Sequence, residues 1–301
     1  MYRVPLLSAG IVGALLLGGC GIAGGSDGSD SGVSVVAAAY PFAFVAQRVA
    51  GDGVNVDNLT SPGVEPHDIE LSPQQVADVS EADLLVYERS FQPSVDEAVE
   101  QAALSEDAEL DVAEVVPLIH SGADSDDQAP DPHVWLDPVN MVAITRAVAD
   151  RLAAADPDHE RTYRANAADL VGDLRGLDRA YSRGLAGCER TTVVTAHDAF
   201  GYLAARYGLD VVPISGIDPT QEPSPGQQAE IADTVEAEGI TTVFTEELVS
   251  PAVTESIADE TGATTATLSP IEGLSDETSD QDYLSLMRAN LGALEEANGC
   301  S

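Results

Sequence analysis

Five histidines occur in the chain: His67, His120, His133, His159 and His197. Three of them share a setting. His67 lies in Gly63-Val64-Glu65-Pro66-His67-Asp68-Ile69-Glu70, after a β-rich run over 54–60. His133 lies in Asp131-Pro132-His133-Val134-Trp135-Leu136-Asp137-Pro138, and His197 follows a β-rich run over 191–195. Neutral imidazole is the usual ligand for borderline divalent ions, and three at one site suit Zn2+ at roughly 2.0–2.1 Å each. They are more than sixty residues apart in sequence, unlike the helical i, i+4 pair of hydrolytic zincins. Such spacing suits a site assembled between two lobes. Taken singly, each histidine reads as a hydrogen-bonded structural residue; the shared placement past a strand is what points to a metal. His159, in Asp156-Pro157-Asp158-His159, reads as surface.

The elements that must position these loops alternate between strand and helix. Strands are expected over 33–39, 54–60, 83–87 and 109–119, separated by helices over 41–50, 72–82 and 94–104. The pattern recurs with strands over 191–195, 210–214, 240–245 and 263–268 and helices over 198–207, 225–238, 251–261 and 280–297. This is the signature of parallel α/β sheets. Ligands of open parallel sheets bind outside the carboxyl ends of the strands, which brings the three histidine loops to one cleft edge. Between the halves, Tyr163, Ala167, Leu170, Leu174, Leu177, Tyr181 and Leu185 recur at steps of three or four, one apolar stripe on a long helix. A helix over 157–185 would run on the order of 40 Å, enough to bridge two lobes. The expected organisation is an N-terminal lobe over 33–138, a helical linker over 139–186 and a C-terminal lobe over 187–301.

Composition narrows the partners. The 301 residues include 52 acidic and 13 basic side chains, all of the latter arginine, for a formal charge of −39. A phosphate backbone needs a positive field, so sequence-independent nucleic-acid binding is excluded and cations are the better partner. With 44% hydrophobic residues, the chain has the means to bury a core despite that charge. An acidic run with Asp124, Asp126 and Asp127 precedes His133 and reads as a solvated loop.

The N-terminus reads as an address. A short basic start leads into an apolar run over 4–17, too short for a comfortable membrane span, and residues 1–19 read as a signal peptide. Leu17-Gly18-Gly19-Cys20 resembles a bacterial lipobox, which implies lipidation of Cys20 and an extracytoplasmic chain tethered to the outer face of the cell membrane. A Gly/Ser/Asp-rich spacer over 20–32 follows. The remaining cysteines, Cys188 and Cys300, are expected to pair as a disulfide in an exported protein.

Five motifs in register carry a resemblance. Glu65-Pro66-His67-Asp68, Asp131-Pro132-His133-Val134-Trp135-Leu136-Asp137-Pro138, Thr195-Ala196-His197-Asp198-Ala199-Phe200-Gly201-Tyr202, Gln221-Glu222-Pro223-Ser224-Pro225 and Val243-Phe244-Thr245-Glu246 resemble the successive signatures of zinc/manganese-type substrate-binding lipoproteins of bacterial ABC importers. The resemblance implies two α/β lobes joined by a rigid long helix and an ion held in the cleft by one residue from each of four loops. It places His67, His133 and His197 on three ligand positions, and a histidine at the third favours zinc over manganese. The fourth is commonly an aspartate in a Leu-Asp-Pro-Leu-like turn; here Leu268-Ser269-Pro270-Ile271 puts Ser269 in its place, leaving water, Glu272 and Glu246 as candidates. Glu222 and Glu246 are placed near the lobe interface, as hydrogen-bond partners of ligand imidazoles or as helix N-terminal carboxylates. Trp135 is expected as core filler beside the site.

The resulting expectation is a monomeric carrier, not an enzyme, that captures Zn2+ and delivers it to an ABC permease. Affinity should fall as pH drops through the histidine range. A stiff bridging helix implies small lobe movements, with release left to the permease. Three alternatives stay open: a manganese or iron carrier of the same fold, a three-histidine zinc hydrolase, for which no Gly-x-Ser-x-Gly nucleophile motif is present, and an adhesin.

Overall fold

Residues 84–87 and most of 33–39 are apolar, the pattern of strands covered on both faces. In the computed structural model, which describes residues 32–120 and 130–301, these runs form the two central strands of a four-stranded parallel sheet. In chain order the first lobe comprises β1 (Ser34–Ala37), α1 (Tyr40–Ala50), β2 (Asn55–Asn58), α2 (Pro73–Glu81), β3 (Leu84–Tyr87), α3 (Pro93–Ala102) and β4 (Glu109–Asp111). The strand order is β2-β1-β3-β4. Side chains alternate across the sheet: Val35 and Ala37 face the α1 side, while Val36 and Ala38 pack with Val79, Leu85 and Val95 on the other. The fourth strand stops well short of residue 119. The Asp111 carboxylate accepts from the backbone N–H of Ala113 at 3.0 Å and of Arg89 at 3.2 Å, turning the chain into a short 3-10 turn over Val112–Glu114.

Next come α4 (Pro138–Ala155), a 3-10 turn over Pro157–His159 and α5 (Glu160–Gly184). Asp137 caps α4 by accepting from Val139 N, with proline at its first position. The long helix begins at Glu160 rather than at Pro157, which belongs to the preceding turn. Its 25 residues span about 37 Å. Tyr163, Ala167, Leu170, Leu174, Leu177 and Tyr181 are buried along it, with Val171 beside them.

The second lobe comprises β5 (Thr192–Thr195), α6 (Gly201–Tyr207), β6 (Asp210–Pro213), α7 (Pro225–Glu238), β7 (Thr242–Thr245), α8 (Ala252–Thr261), β8 (Thr264–Thr267) and α9 (Tyr283–Asn298). Its sheet, β6-β5-β7-β8, is also parallel and repeats the order of the first. α5 touches both lobes. Asn166 Nδ2 donates to Val49 O of α1 at 3.0 Å and Arg48 pairs with Asp173 at 2.9 Å, while Tyr181 OH donates to Met287 O of α9 at 2.6 Å. One continuous core runs from α1 through α4 and α5 to α9. Cys188 and Cys300 are bonded, joining the segment before β5 to the end of α9.

Residues 1–31 and 121–129, and with them the expected signal peptide, Cys20, nearly all of the expected spacer and most of the acidic run, lie outside the described residues. Among the described residues no helix is long and apolar enough to cross a membrane.

Candidate metal centre

Parallel topology puts the loop after each strand on one side of its sheet, and the bridge brings the two sides together. His67 follows β2, His133 precedes α4, His197 follows β5 and Glu272 follows β8. One ligand atom from each of these four residues lies within 4.8 Å of the other three, and all four residues are buried. Glu272 Oε1 stands 2.9 Å from His133 Nε2, 3.1 Å from His197 Nε2 and 3.5 Å from His67 Nε2. The Nε2 atoms of His133 and His197 are 3.3 Å apart. His67 Nε2 is buried without a hydrogen-bond partner, an arrangement that costs free energy unless a ligand takes the lone pair.

The far side of each ring is held in place. His133 Nδ1 lies 2.7 Å from Asp131 Oδ1, which also accepts from the His133 backbone N–H at 2.9 Å. His197 Nδ1 lies 2.7 Å from Glu246 Oε2. A carboxylate on Nδ1 fixes the ring and leaves Nε2 directed into the cleft, as in many zinc sites. His67 is held differently: its backbone N–H donates to Glu65 at 3.0 Å, and its ring sits edge-on to Phe91 at 4.9 Å between centroids.

Helix α6 braces the His133 segment from the opposite lobe. Tyr202 OH donates to Asp131 O at 2.9 Å and accepts from Ile119 N at 3.1 Å, and Arg206 Nε donates to Asp137 Oδ2 at 2.6 Å. Gly201 is required here, because a Cβ at that position would stand 2.7 Å from Asp131 Oδ2.

Glu272 sits on a constrained loop. Ser269 N donates to Asn290 Oδ1 at 2.8 Å and Asn290 Nδ2 donates to Ser269 O at 2.6 Å. Ile271 has φ 58°, a left-handed conformation that is an outlier for a β-branched residue and costs on the order of 1–3 kcal/mol. Trp135 is fully buried and is more than filler: its indole N–H donates to Pro270 O at 2.7 Å.

Charge follows geometry. Burial works against the His133 imidazolium, but Asp131 and then Glu272 outweigh it and lift the pKa to about 9. His197 is opposed by burial in the same way and raised well above its ordinary value by Glu246 and Glu272. Burial alone would raise the Glu272 pKa, yet His133 and His197 hold it well below the usual carboxylate range. Without metal, the raised His133 and His197 therefore stand as protonated partners of Glu272, and a divalent cation can replace those two protons with its own charge.

Of the residues expected from sequence, His67, His133 and His197 come together, whereas His120 forms an isolated bridge with Pro130 and His159 faces Asp156. Ser269 stands outside the cluster, its hydroxyl accepting from Ile271 N at 3.3 Å. Among the carboxylates left open, Glu272 is in the cluster and Glu246 lies behind His197; Glu222 is exposed and lines a neighbouring cavity of about 320 Å3 together with Glu65. Asp131, Asn290 and Tyr202 had no assigned role, although Asp131 stood two residues before a histidine in Asp-Pro-His.

Comparison with known proteins fits this geometry. The family described as ZnuA, zinc-uptake complex component A, periplasmic, matches residues 35–297. The chain belongs to that family. The zinc-binding lipoprotein AdcA of Streptococcus pneumoniae is 33% identical over 98% of this chain, which spans 61% of that relative's length. The high-affinity zinc uptake system protein ZnuA of Bacillus subtilis is 32% identical over 94% of each chain. The crystal structure of the Zn(II)-bound ZnuA-like domain of Streptococcus pneumoniae AdcA is 34% identical and superposes with TM-score 0.77, covering 88% of this chain and 98% of that one.

Proposed function

We propose that this chain is the zinc-capturing component of an ABC importer, tethered by a lipid on Cys20 to the outer face of the cell membrane and acting as a monomer. Its N-terminal lobe spans 33–138 and its C-terminal lobe 187–301. His67, His133, His197 and Glu272 hold the ion, and a cognate permease receives it. The observation that carries this reading is the convergence of three imidazoles and one carboxylate in a buried interlobe cleft.

The donor set favours zinc. Three nitrogens and one oxygen make a tetrahedral shell, whereas manganese prefers a larger, oxygen-rich one. Family membership and the zinc-binding relatives support the same ion. Four protein donors also separate a carrier from a hydrolase, since catalytic zinc keeps one position for water.

Capture is coordination coupled to proton release. The imidazoles lose their protons, Asp131 and Glu246 keep the rings aimed, and Glu272 contributes the negative charge that brings the net ionic charge of the shell to +1. Native mass spectrometry of the chain from Cys20 onward, in an equimolar mixture of Zn2+, Mn2+ and Fe2+, tests the reading. One zinc per chain is expected, and its loss in the H67A/H133A/H197A variant; retained zinc at the same stoichiometry in that variant rules the site out.

A further inference from the structure

The Glu272 loop holds strain at Ile271, whose side chain is fully buried, and two hydrogen bonds hold the adjoining peptide. The angle φ of Ile271 describes rotation about its N–Cα bond, so the orientation of the Pro270–Ile271 peptide plane sets it. That peptide is gripped at both ends. Its oxygen, Pro270 O, accepts from the Trp135 indole N–H at 2.7 Å, and its N–H, on Ile271, donates to Ser269 Oγ at 3.3 Å. The indole bond is the shorter and comes from the other side of the cleft. Trp135 stands on the 3-10 turn Val134–Leu136 that follows His133, and its own carbonyl accepts from Tyr283 OH at 2.6 Å. One rigid turn therefore presents His133 to the ion and holds the peptide one residue ahead of Glu272.

We propose that the Trp135–Pro270 hydrogen bond is a latch that keeps Glu272 on the ion against the strained backbone at Ile271, so that opening it is the step that frees the fourth ligand. When the indole lets go, the peptide can rotate, Ile271 returns to an extended or right-handed conformation, and the Glu272 carboxylate swings away from the three imidazoles. Zinc is left with three neutral donors and dissociates faster. Trp135 is thus a positioning residue for release, acting through the loop and not on the metal. The inference rests on the reading of Glu272 as a zinc ligand.

Trp135 is the only tryptophan of the chain, which permits a one-atom test. Growth of a tryptophan auxotroph on β-(3-benzothienyl)alanine replaces the indole N–H by sulfur and keeps the ring shape. Zinc dissociation from the loaded chain, residues 20–301, is followed by stopped-flow absorbance with an excess of a chromogenic chelator. The expected result is about tenfold faster release from the sulfur analogue, with an unchanged association rate. Adding Ile271→Gly, which removes the steric cost of positive φ, should return release in the analogue toward the original rate. A loosened core would instead be made worse by that substitution. Release at the original rate from the analogue, or no slowing by Ile271→Gly, overturns the latch. Glu272→Ala decides the underlying reading separately: if it leaves zinc release and affinity unchanged, Glu272 is not a ligand, whatever Trp135 does.

Discussion

His133 Nδ1 lies 2.7 Å from the Asp131 carboxylate, and both residues are fully buried. The contact holds the ring in one orientation and leaves Nε2 as the only nitrogen turned toward Glu272. Asp131→Ala should therefore weaken zinc binding about 10–100-fold without changing the stoichiometry. Glu246→Ala should do the same through His197. Competition titration against a chelator of known affinity measures both, and an effect below threefold would show that the rings orient themselves.

Zinc binding should release about two protons per ion at pH 7, from His133 and His197, whose pKa values are raised. Calorimetric titration in buffers of different ionisation enthalpy counts them. Affinity should fall steadily as the solution is acidified, because protons compete for the same Nε2 atoms. The metal-free protein should show the opposite trend. A histidine whose folded pKa lies above its unfolded value contributes stability that is complete below about pH 6.5 and is lost as pH rises through the folded value, about 9 for His133. Thermal unfolding of the metal-free chain from pH 6 to 9 should show a falling midpoint, and a flat profile would contradict the charged cluster.

Glu88 is 3% exposed, with Oε2 lacking a hydrogen-bond partner. Burial and then Asp131 and Asp111 push its carboxyl well above the usual range. An acid raised in the folded state loses stability as pH climbs from its unfolded value through the folded one. Glu88→Gln, which mimics the neutral form, should raise the unfolding midpoint more at pH 8 than at pH 5. Equal shifts at the two pH values would mean that Glu88 is already ionised in the fold.

Gly201→Ala should cost about 1–3 kcal/mol of stability through overpacking and weaken zinc binding by displacing Asp131. Its Cβ would meet Asp131 Oδ2 at 2.7 Å and Ile119 Cδ1 at 3.0 Å. Denaturant unfolding and zinc titration together check the prediction. Lost stability with untouched affinity would mean that Asp131 tolerates the shift.

Much of this arrangement was legible because it is local. Ser72 and Ser224, each followed by proline, open helices in capping boxes, and the stripe from Tyr163 to Tyr181 lies buried on α5. His67 and His197 were visible through their strand-end loops, since parallel topology sends those loops to one edge; His133 instead opens the 3-10 turn before α4, well past the end of β4 at Asp111. Glu272 could not be chosen over Glu246 from sequence: both follow strands of the second sheet, and which one reaches the cleft depends on a backbone reversal at Ile271 that no propensity favours. The fourth strand is shorter than its apolar pattern suggests, because the Asp111 carboxylate turns the chain by accepting from Ala113 N and from Arg89 N, the latter a contact between distant residues. The Trp135–Pro270 bond joins residues 135 positions apart, beyond the reach of any local pattern.

The central claim, that three imidazoles and the Glu272 carboxylate hold one zinc ion, is tested most directly by zinc K-edge X-ray absorption on the loaded protein and on Glu272→Ala. The account predicts four nitrogen or oxygen neighbours at about 2.0–2.1 Å, with imidazole multiple scattering from three rings, and loss or replacement of one oxygen in the variant. A six-coordinate oxygen shell, fewer than three imidazoles, or a first shell identical in Glu272→Ala would contradict it.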